Sequence, residues 1–491
     1  MHYAMPFTRI IINKLLQEGC EPMNTHKYVR QFREKGPDTA LIQKVIDEHK
    51  ADAERRLKMY GRYKAEMDAV PILTREAASY EDFETGSIKR IDDKVNNRLN
   101  NSFDAEIVDT KVGYMFGHPI NYEVEQADRE NLNSLKTEID TFKLRNNTDD
   151  KDSEWGKKSA ICGYGARLAY IDREGKERIA NIDPWETIII SSTDYTEPEF
   201  AIRYFNIDDN KMRVEFYDSA FYYVFESGTN GLMQIEKKLH TFEYCPLYGL
   251  PNNEELMADA ERVFSLIDAY NRTLSDASNE IESNRLAYLV MRGIGMDDEG
   301  ERQLHRSGRM ELIDKDDDVY YLTKDVNDSL IEHHLDRLEE NILRLAKSVN
   351  FSDDKFSANA SGIALEFKLM SLENKCITME RKMTAALRFQ FKVLCSAWAK
   401  KGICDKEDYL KLWFEFKRNI PVNIKEKVDA AVAMLAITSH KTALASLPNV
   451  DDVEYELEQR ELERDSIAPL MAEGGETNGS REVQQETGSV E

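Results

Sequence analysis

Apolar residues recur at helical spacing through the second half of the chain and mark three long amphipathic segments. The first starts where Asn252 can cap a helix and Glu255 can complete a capping box, and it runs without Pro or Gly to Arg292. Its apolar positions alternate steps of four and three, which predicts one continuous seam on a helix of about 55 Å. Two more seams follow at 328–350 and 362–401, and the last predicts a helix of roughly 57 Å.

The pattern changes to a period of two between 161 and 249, where β-branched and aromatic residues dominate. Two pairs of such runs flank glycine-containing turns: 166–171 with 178–182, and 221–226 with 232–238. Each pair predicts a β-hairpin. The whole region is expected to form an antiparallel sheet packed on the helices that precede it.

Helical patterns at 38–67 and 92–115 come before the sheet region, and each stops close to a Pro or Gly. Short strand patterns at 319–322 and 409–417 separate or follow the long helical segments. Helical patterns then return from 425. These elements predict an α+β protein that is mainly helical.

Composition limits the partners of the chain. Its 491 residues carry a formal net charge of -25, from 91 acids and 66 bases, and 41% are hydrophobic, enough for two or more cores. Surplus carboxylate opposes tight adhesion to phosphate, so any contact with DNA is expected to be loose or confined to a few residues. The longest apolar run, 430–437, is far too short for a membrane span. It is interpreted as part of a buried helix, and no membrane partner is expected.

Cysteine usage and the N-terminus bear on the compartment. The six cysteines include no Cys-x-x-Cys pair, and the apolar patch at 10–12 is not followed by a cleavable signal pattern. Reduced, mostly buried thiols in a cytoplasm are therefore expected.

Two motifs partly resemble nucleotide or metal sites. Gly295 and Gly300 have the spacing of a phosphate-binding loop, but Glu301 stands where a Lys must neutralise phosphate. His333 and His334 are adjacent and lack a second His four residues away, so they are interpreted as surface residues of a helix. A pH response is the weaker alternative for them.

A third motif is similar to the start of a calcium loop. Asp314, Asp316 and Asp318 have the spacing of its first ligands, but Val319 occupies the position that needs Gly for the sharp turn. A solvated acidic strand edge is the preferred interpretation. With no candidate site, we expect no enzyme activity and no cofactor, although catalytic carboxylates scattered along the sequence remain open.

Four stretches of the chain carry, in order, residue sets that are similar to those of one protein family. They are Asn96, Asn97, Arg98, Asn100, Phe103, Ile107, Val108, Asp109, Lys111, Gly113, Tyr114, Gly117 and Pro119; Pro251, Asn252, Asn253, Asp259, Glu261, Leu266, Ile267, Asp268, Ala269, Tyr270, Asn271 and Ser275; Phe356, Asn359, Ser361, Gly362, Ala364, Leu365 and Lys368; and Pro421, Asn423, Glu426, Thr442, Ala443, Leu444, Leu447, Pro448, Val450 and Asp452. Together they cover roughly residues 90–455, and they resemble the siphophage-type portal proteins of tailed bacteriophages.

The resemblance implies a ring-shaped homo-oligomer of about a dozen subunits at one capsid vertex, through which a packaging motor drives double-stranded DNA. The implied parts are an N-terminal helical lead of the wing at 1–90, an α/β wing at 91–250, stem helices at 251–290 and 328–350, a small clip at 284–320, a tunnel loop at 351–361, a long spine helix at 362–401, a wing return strand at 402–424, a helical crown at 425–470 and a disordered acidic tail at 471–491.

The resemblance also implies sites and partners. The tunnel loop would face DNA through Phe351, Ser352, Asp353, Asp354, Lys355 and Phe356. The clip would dock the motor and later connectors through Arg292, Asp297, Asp298, Glu301, Arg302, Arg306 and Arg309. Implied partners are further copies of the chain, the terminase large subunit, the major capsid and scaffolding proteins, and a head-completion or adaptor protein. The implied location is the portal vertex of the virion, after assembly in the host cytoplasm, and the ring would also be the route of DNA ejection.

Alternatives remain open at two levels. Phe351 and Phe356 either contact DNA or anchor the loop against a neighbouring helix, and Lys355 either follows phosphate or is a solvated linker charge. For the whole chain, long helices with apolar seams supply the repeated faces of a ring, but they would also suit a dimeric coiled-coil scaffold or adaptor. A DNA-processing ATPase or nuclease is the third class considered for the chain. The sequence carries neither the phosphate-binding loop nor the metal cluster that such an enzyme needs.

Overall fold

The computed structural model shows two units. The described residues are 25–77, 79–81, 88–90, 95–125, 130–192, 197–208, 211–228, 231–284, 288–292, 318–322, 328–350, 362–420, 424–447, 450 and 453–462. Of these, the main unit holds 25–350 and 367–419, and the C-terminal unit holds 362–366 and 420–462.

The described strands all belong to the main unit and pair antiparallel. They are β1 (Ser79–Glu81), β2 (Ile88–Arg90), β3 (Asn121–Val124), β4 (Tyr164–Ile171), β5 (Glu177–Ile182), β6 (Thr187–Ile190), β7 (Phe200–Asp208), β8 (Lys211–Tyr217), β9 (Phe221–Gly228), β10 (Gly231–Leu239), β11 (Leu247–Pro251), β12 (Tyr288–Arg292), β13 (Asp318–Leu322) and β14 (Leu412–Glu415). Both predicted hairpins are confirmed, as β4 with β5 and β9 with β10.

The predicted single sheet is in fact two sheets. One has five strands in the order β10-β9-β8-β7-β6, and the other has three in the order β11-β4-β5. The remaining described strands form two-stranded ribbons, β1-β2, β12-β13 and β14-β3. The last ribbon contains the strand that was predicted at 409–417. The strand is shorter than predicted, because only Leu412–Glu415 pairs with β3.

The helices occur before, between and after the sheets. They are α1 (His26–Lys35), α2 (Thr39–Tyr63), α3 (Phe103–Phe116), α4 (Glu130–Asn146), α5 (Thr148–Cys162), α6 (Phe264–Asn284), α7 (Asp328–Ala346), α8 (Gly362–Lys400), α9 (Ile424–Met434), α10 (His440–Ala445) and α11 (453–462). The prediction of a mixed helix and sheet protein is confirmed. A long helix was predicted at 362–401, and α8 matches those bounds within one residue.

The first two helices cover one face of the five-stranded sheet. Asp38 caps α2 by accepting hydrogen bonds from the backbone N–H groups of Ala40 at 2.8 Å and Leu41 at 3.2 Å. The core between helices and sheet contains Tyr28, Val29, Phe32, Leu41, Ile42, Val45, Ile46, Ile188, Ile190, Ile202, Val214, Phe216, Tyr223 and Phe225. The expectation that the sheet packs on the preceding helices is therefore confirmed.

Two helices, α4 and α5, were not predicted. Leu135, Ile139 and Phe142 of α4 are buried and recur at helical spacing, so the signal was present in the sequence. The sequence of α5 is mostly polar, and its apolar residues show only a weak helical period. Its one large buried apolar side chain on the central turns is Trp155, which packs against Tyr248. Tertiary packing, rather than local preference, determines that helix.

A buried charged cluster lies in the main unit. Arg167 of β4 is fully buried and donates to Asp152 at 2.7 Å, to Gln390 of α8 at 3.0 Å and to Asn181 at 2.9 Å. Its guanidinium also lies 3.9 Å from the ring centroid of Trp155. The cluster therefore joins α5, both strands of a hairpin and the long helix α8.

The C-terminal half of α8 runs through this core. All side chains from Ala386 to Trp398 are buried except Arg388 and Lys392. Met379 and Trp398 of this helix are core residues, and both are fully buried. Cys395 and Cys404 are likewise free and buried thiols, which agrees with the expectation from cysteine usage.

The prediction that the first stem helix begins at Asn252 and runs to Arg292 is wrong at both ends. A 3-10 turn at Glu261–Val263 precedes α6, and Tyr288–Arg292 forms strand β12. Asn252 is not a cap because its side chain is buried and bonds Lys111 and Asp259. Tertiary hydrogen bonds therefore replace the predicted capping box in this segment.

The predicted helix at 92–115 is also too long at its N-terminal end. Helix α3 starts at Phe103, after Ser102 in the left-handed region with a φ of 52°. Residues 95–102 are extended instead, and their backbone N–H groups find partners on α6, as described below. At the other end, α3 stops at Phe116, next to the predicted Gly117 stop signal.

Candidate functional site: the helical hairpin

Helices α6 and α7 form a hairpin that corresponds to the predicted stem. Near its base, Val263 of the preceding 3-10 turn and Ile267 of α6 pack with Ile342 and Ala346 of α7, and Phe103 of α3 joins this cluster. Beyond the far end of both helices, β12 and β13 pair with Tyr288 opposite Leu322 and Arg292 opposite Asp318. The described part of the predicted clip is therefore a two-stranded ribbon.

A ladder of side-chain hydrogen bonds holds α6 against the extended segment 95–102. The backbone N–H groups of Asn101, Leu99 and Asn97 donate to the side chains of Asn271, Ser275 and Asn279, at 2.9, 2.9 and 2.6 Å. The geometry matches because two residues of extended chain rise about 6.7 Å and four residues of helix about 6 Å. We call these three bonds the polar ladder.

Sequence reasoning did not find the polar ladder, although Asn271 and Ser275 were among the residues that carried the family resemblance. The available signal was the spacing of polar residues four apart on one face of an amphipathic helix. Ser275 is fully buried, and a buried Ser with no side-chain partner would be costly. Its partner is a backbone group 176 residues away in sequence, which local patterns do not reveal.

Replacing Ser275 with Ala should destabilise the main unit by about 1–3 kcal/mol, because the backbone N–H of Leu99 would lose its acceptor. Chemical denaturation followed by tryptophan fluorescence measures this loss. Ser265→Ala, at an exposed position of the same helix, is the matched control and should change the free energy of unfolding by less than about 0.5 kcal/mol. Equal effects of the two variants would contradict the ladder as a source of stability.

An ion-pair clamp fixes the base of α6 to the wing helices. Arg62 of α2 donates to Asp104 of α3 at 2.9 Å and to Asp268 of α6 at 2.9 Å. Its guanidinium also lies 4.3 Å from the ring centroid of Phe264. Burial raises the pKa of Asp104, and the neighbouring Arg62 opposes that shift. One buried arginine thus joins three helices.

A second cluster fixes the base of α7 and the start of the long helix α8. Lys111 and Lys375 both approach Asp259, at 3.1 and 3.3 Å, and Lys375 also donates to the carbonyl of Ala346 at 2.9 Å. Burial opposes ionisation of Asp259, but the two lysines hold its pKa below the usual value. Burial lowers the pKa of Lys375. The C-terminus of α7 is therefore tied to α8.

Helix α7 ends in a tight turn. Lys347 takes the left-handed conformation with a φ of 54°, and Ser348 N donates to Leu343 O at 2.9 Å. This turn sets the direction of the chain into the predicted tunnel loop. The loop residues themselves, Phe351, Ser352, Asp353, Asp354, Lys355 and Phe356, lie outside the described residues.

The outer face of α7 is acidic. Glu332, Asp336 and Glu340 are all exposed and recur every four residues, so they form one stripe along the helix. We call them the acidic stripe. Across α6 and α7 together there are nine Asp or Glu residues and three Arg residues. Such a surface binds phosphate weakly.

The other predicted site residues divide into described and undescribed positions. His333 and His334 are exposed, as expected for surface residues of a helix. Arg292 is the last residue of β12. The remaining clip residues, Asp297, Asp298, Glu301, Arg302, Arg306 and Arg309, and the acidic tail at 471–491 lie outside the described residues.

Among the described residues, no group of three His, Cys, Asp or Glu side chains is placed to hold a metal ion. No helix in the described part of the chain has the length and apolarity needed to span a membrane.

Comparison with protein families places the chain among the phage portal proteins. Residues 42–470 match the family model described as "Phage portal protein, SPP1 Gp6-like", and the chain belongs to this family. The resemblance to siphophage-type portal proteins is therefore confirmed, and family membership supports a portal function. Phage portal proteins are components of the virion.

Individual relatives agree with the family match. The chain is 26% identical over 474 residues to the "Portal protein" of Bacillus phage SPP1, which covers 90% of each protein. It is 25% identical over 402 residues to the "Portal protein" of Clostridium phage phiCD119, which covers 76% of this chain and 85% of the relative. In both cases the match extends over most of the length of the relative.

Proposed function

We propose that the protein assembles into a ring of about twelve copies at one capsid vertex, and that double-stranded DNA passes through the ring during packaging and ejection. Family membership supports the portal function itself. The hairpin of α6 and α7 would line the channel, with the acidic stripe facing the DNA. The observation that carries this proposal is a rigidly clamped hairpin with an acidic outer face.

The acidic stripe suits a channel in which DNA must slide. A protein that neutralises many phosphates with Lys or Arg releases counterions and binds tightly, which would stall movement. A wall with surplus carboxylate avoids that grip. The clamps at the base would keep the wall in place while DNA moves, because the Arg62–Asp268 ion pair must break before α6 can shift, and the hydrogen bond from Lys375 to the carbonyl of Ala346 must break before α7 can.

The partners follow from this role. The ribbon at the tip of the hairpin and the clip residues around it would dock the terminase motor during packaging and a head-completion or adaptor protein afterwards. The wing and crown would meet the capsid and scaffolding proteins during assembly in the host cytoplasm. The tunnel loop at 351–361 would contact DNA. We propose a structural role with no enzyme activity and no cofactor.

Electron microscopy of the purified full-length protein, combined with native mass spectrometry, tests the proposal. We expect rings with a central hole wide enough for a duplex and a subunit count close to twelve. A count of two without a hole would instead support the dimeric scaffold. A compact monomer would contradict both functions.

A further inference from the structure

The longest apolar run of the chain is exposed in the single copy. Residues 430–437 are eight consecutive apolar residues at the end of α9 and the turn after it, a sequence typical of a buried helix. Yet Ala431 is the single residue of this run that is buried, and Val432 and Ile437 are 62% and 86% exposed. The described residues of the single copy leave this helix uncovered.

The exposed residues form two stripes on opposite sides of the helix. Val428, Val432 and Leu435 lie on one side, and we call them the bulky stripe. Ala430, Ala433 and Ile437 lie about 180° away at 100° per residue, and we call them the alanine stripe. Hydrogen bonds continue the helix past Met434, with Leu435 N donating to Ala431 O at 3.2 Å. The helix is therefore apolar on two faces.

Two apolar faces suit two neighbours. A single partner helix, as in a dimer, would need one seam, but a subunit inside a ring contacts a copy on each side through two different surfaces. At Ala430 and Ala433 the stripes are also complementary in size, because bulky side chains of one helix can fill the space left by these alanines of the next.

Charge also favours a second copy of the chain as the partner. Residues 430–439 carry no charged side chain, although the whole chain has a net charge of -25. The net negative charge makes copies of this chain repel one another, but residues 430–439 contribute nothing to that repulsion. In the rest of the C-terminal unit, the buried apolar residues among those described are small: Ala443 of α10 and Val450. The described part of that unit therefore buries little apolar surface.

We propose that the bulky stripe of α9 packs against the alanine stripe of α9 in the adjacent copy, and that this contact repeats around the ring. The inference rests on the proposed ring and adds the residues that join its subunits in the C-terminal unit. The main-unit contacts between copies are separate from it.

Disulfide trapping in the full-length protein tests this contact. A variant with Val432→Cys and Ala430→Cys should give a ladder of covalent multimers after mild oxidation with diamide, seen by denaturing gel electrophoresis. The two positions lie about 160° apart on the helix at 100° per residue, so they do not pair within one copy. The background carries Cys20→Ser, because the other five cysteines are buried. Each single Cys variant should give no ladder, because the two stripes are different surfaces.

The outcomes separate this inference from the proposed function. If micrographs show rings but the double variant gives no ladder, the α9 contact is wrong and the ring stands. Dimers from Val432→Cys alone would show a symmetric contact and overturn the proposal. Thiols protected from alkylation in a dissociated monomer would show that the chain covers its own helix, which also overturns it. If the protein forms no rings at all, the proposed function is wrong, and the inference about α9, which rests on it, is wrong as well.

A second variant pair checks the effect on assembly. Ala433→Glu places a charged side chain in the alanine stripe and should raise the protein concentration for half-maximal ring formation about tenfold or more. Ala445→Glu makes the same change at an exposed position of α10 and should leave that concentration unchanged. Equal behaviour of the two variants would contradict the contact.

Discussion

Replacing Glu332, Asp336 and Glu340 with Lys should leave rings intact but reduce packaged DNA roughly tenfold or more. The three side chains are exposed on α7, so the change adds no buried charge and should not unfold the protein. In the proposed channel, every copy would present three cations to phosphate, which creates the adhesion that the native wall avoids. Nuclease-protected DNA in cells infected with the variant phage measures the effect.

The control for this experiment has the same change in net charge at other positions. Glu76, Glu174 and Asp208 are exposed in the main unit away from α7, and their replacement with Lys should leave packaging unchanged. If both triple variants package poorly, net charge rather than the acidic stripe is responsible. Normal packaging by the α7 variant would show that these residues do not face moving DNA or that adhesion is not limiting.

Replacing Arg167 with Ala should destabilise the main unit by about 3–5 kcal/mol. The reason is that Asp152 would keep its charge in the core without the guanidinium that lies 2.7 Å away. Asn181 would also lose the donor to its Oδ1, and Gln390 would lose one of its two donors and keep the hydroxyl of Tyr248. The free energy of unfolding in urea, followed by tryptophan fluorescence, measures the loss.

Two variants make this result specific. Arg173→Ala removes an arginine from the exposed turn between β4 and β5 and should cost less than about 0.5 kcal/mol. Arg167→Lys keeps the charge but lacks the planar fork that reaches several acceptors, so it should fall between Ala and the native residue. A loss below about 1 kcal/mol for Arg167→Ala would show that the charged cluster does not stabilise the core.

The elements with strong periodicity could be predicted from sequence. The seam of α8 runs for 39 residues, and both of its ends were predicted within one residue. The β4–β5 and β9–β10 hairpins were predicted because their turns contain glycine and their strands alternate. In these segments the local pattern and the tertiary structure agree.

The failures share one physical cause. At 95–102 and at 252–263 the sequence allows a helix, but side chains distant in sequence bind the backbone or polar groups of the segment. Asn252 is a good cap by type, yet Lys111 and Asp259 compete for its side chain. The four-residue spacing of Asn271, Ser275 and Asn279 marks one face of α6, but local spacing does not reveal the distant partners of the polar ladder or of the two clamps.

The candidate site shows the same division. The position of the hairpin was predicted from its seams, but the residues that hold it, Arg62, Lys111 and Lys375, were not. The acidic surplus of the stem was predicted from composition, whereas its arrangement as one stripe depends on which face of α7 is exposed. The tunnel-loop residues and the clip residues beyond Arg292 stay predictions.

The polar ladder also restricts how the hairpin can move. Its three acceptors are about 6 Å apart along α6. The acceptor residue changes from one position to the next, because Ser275 lies between two asparagines. A gradual axial slip would break all three bonds together, and a slip by one repeat of about 6 Å would pair two donors with the wrong acceptor and leave the third donor without one. Helix α6 can therefore tilt or bend while the three bonds hold, but it has no stable intermediate positions along its own axis.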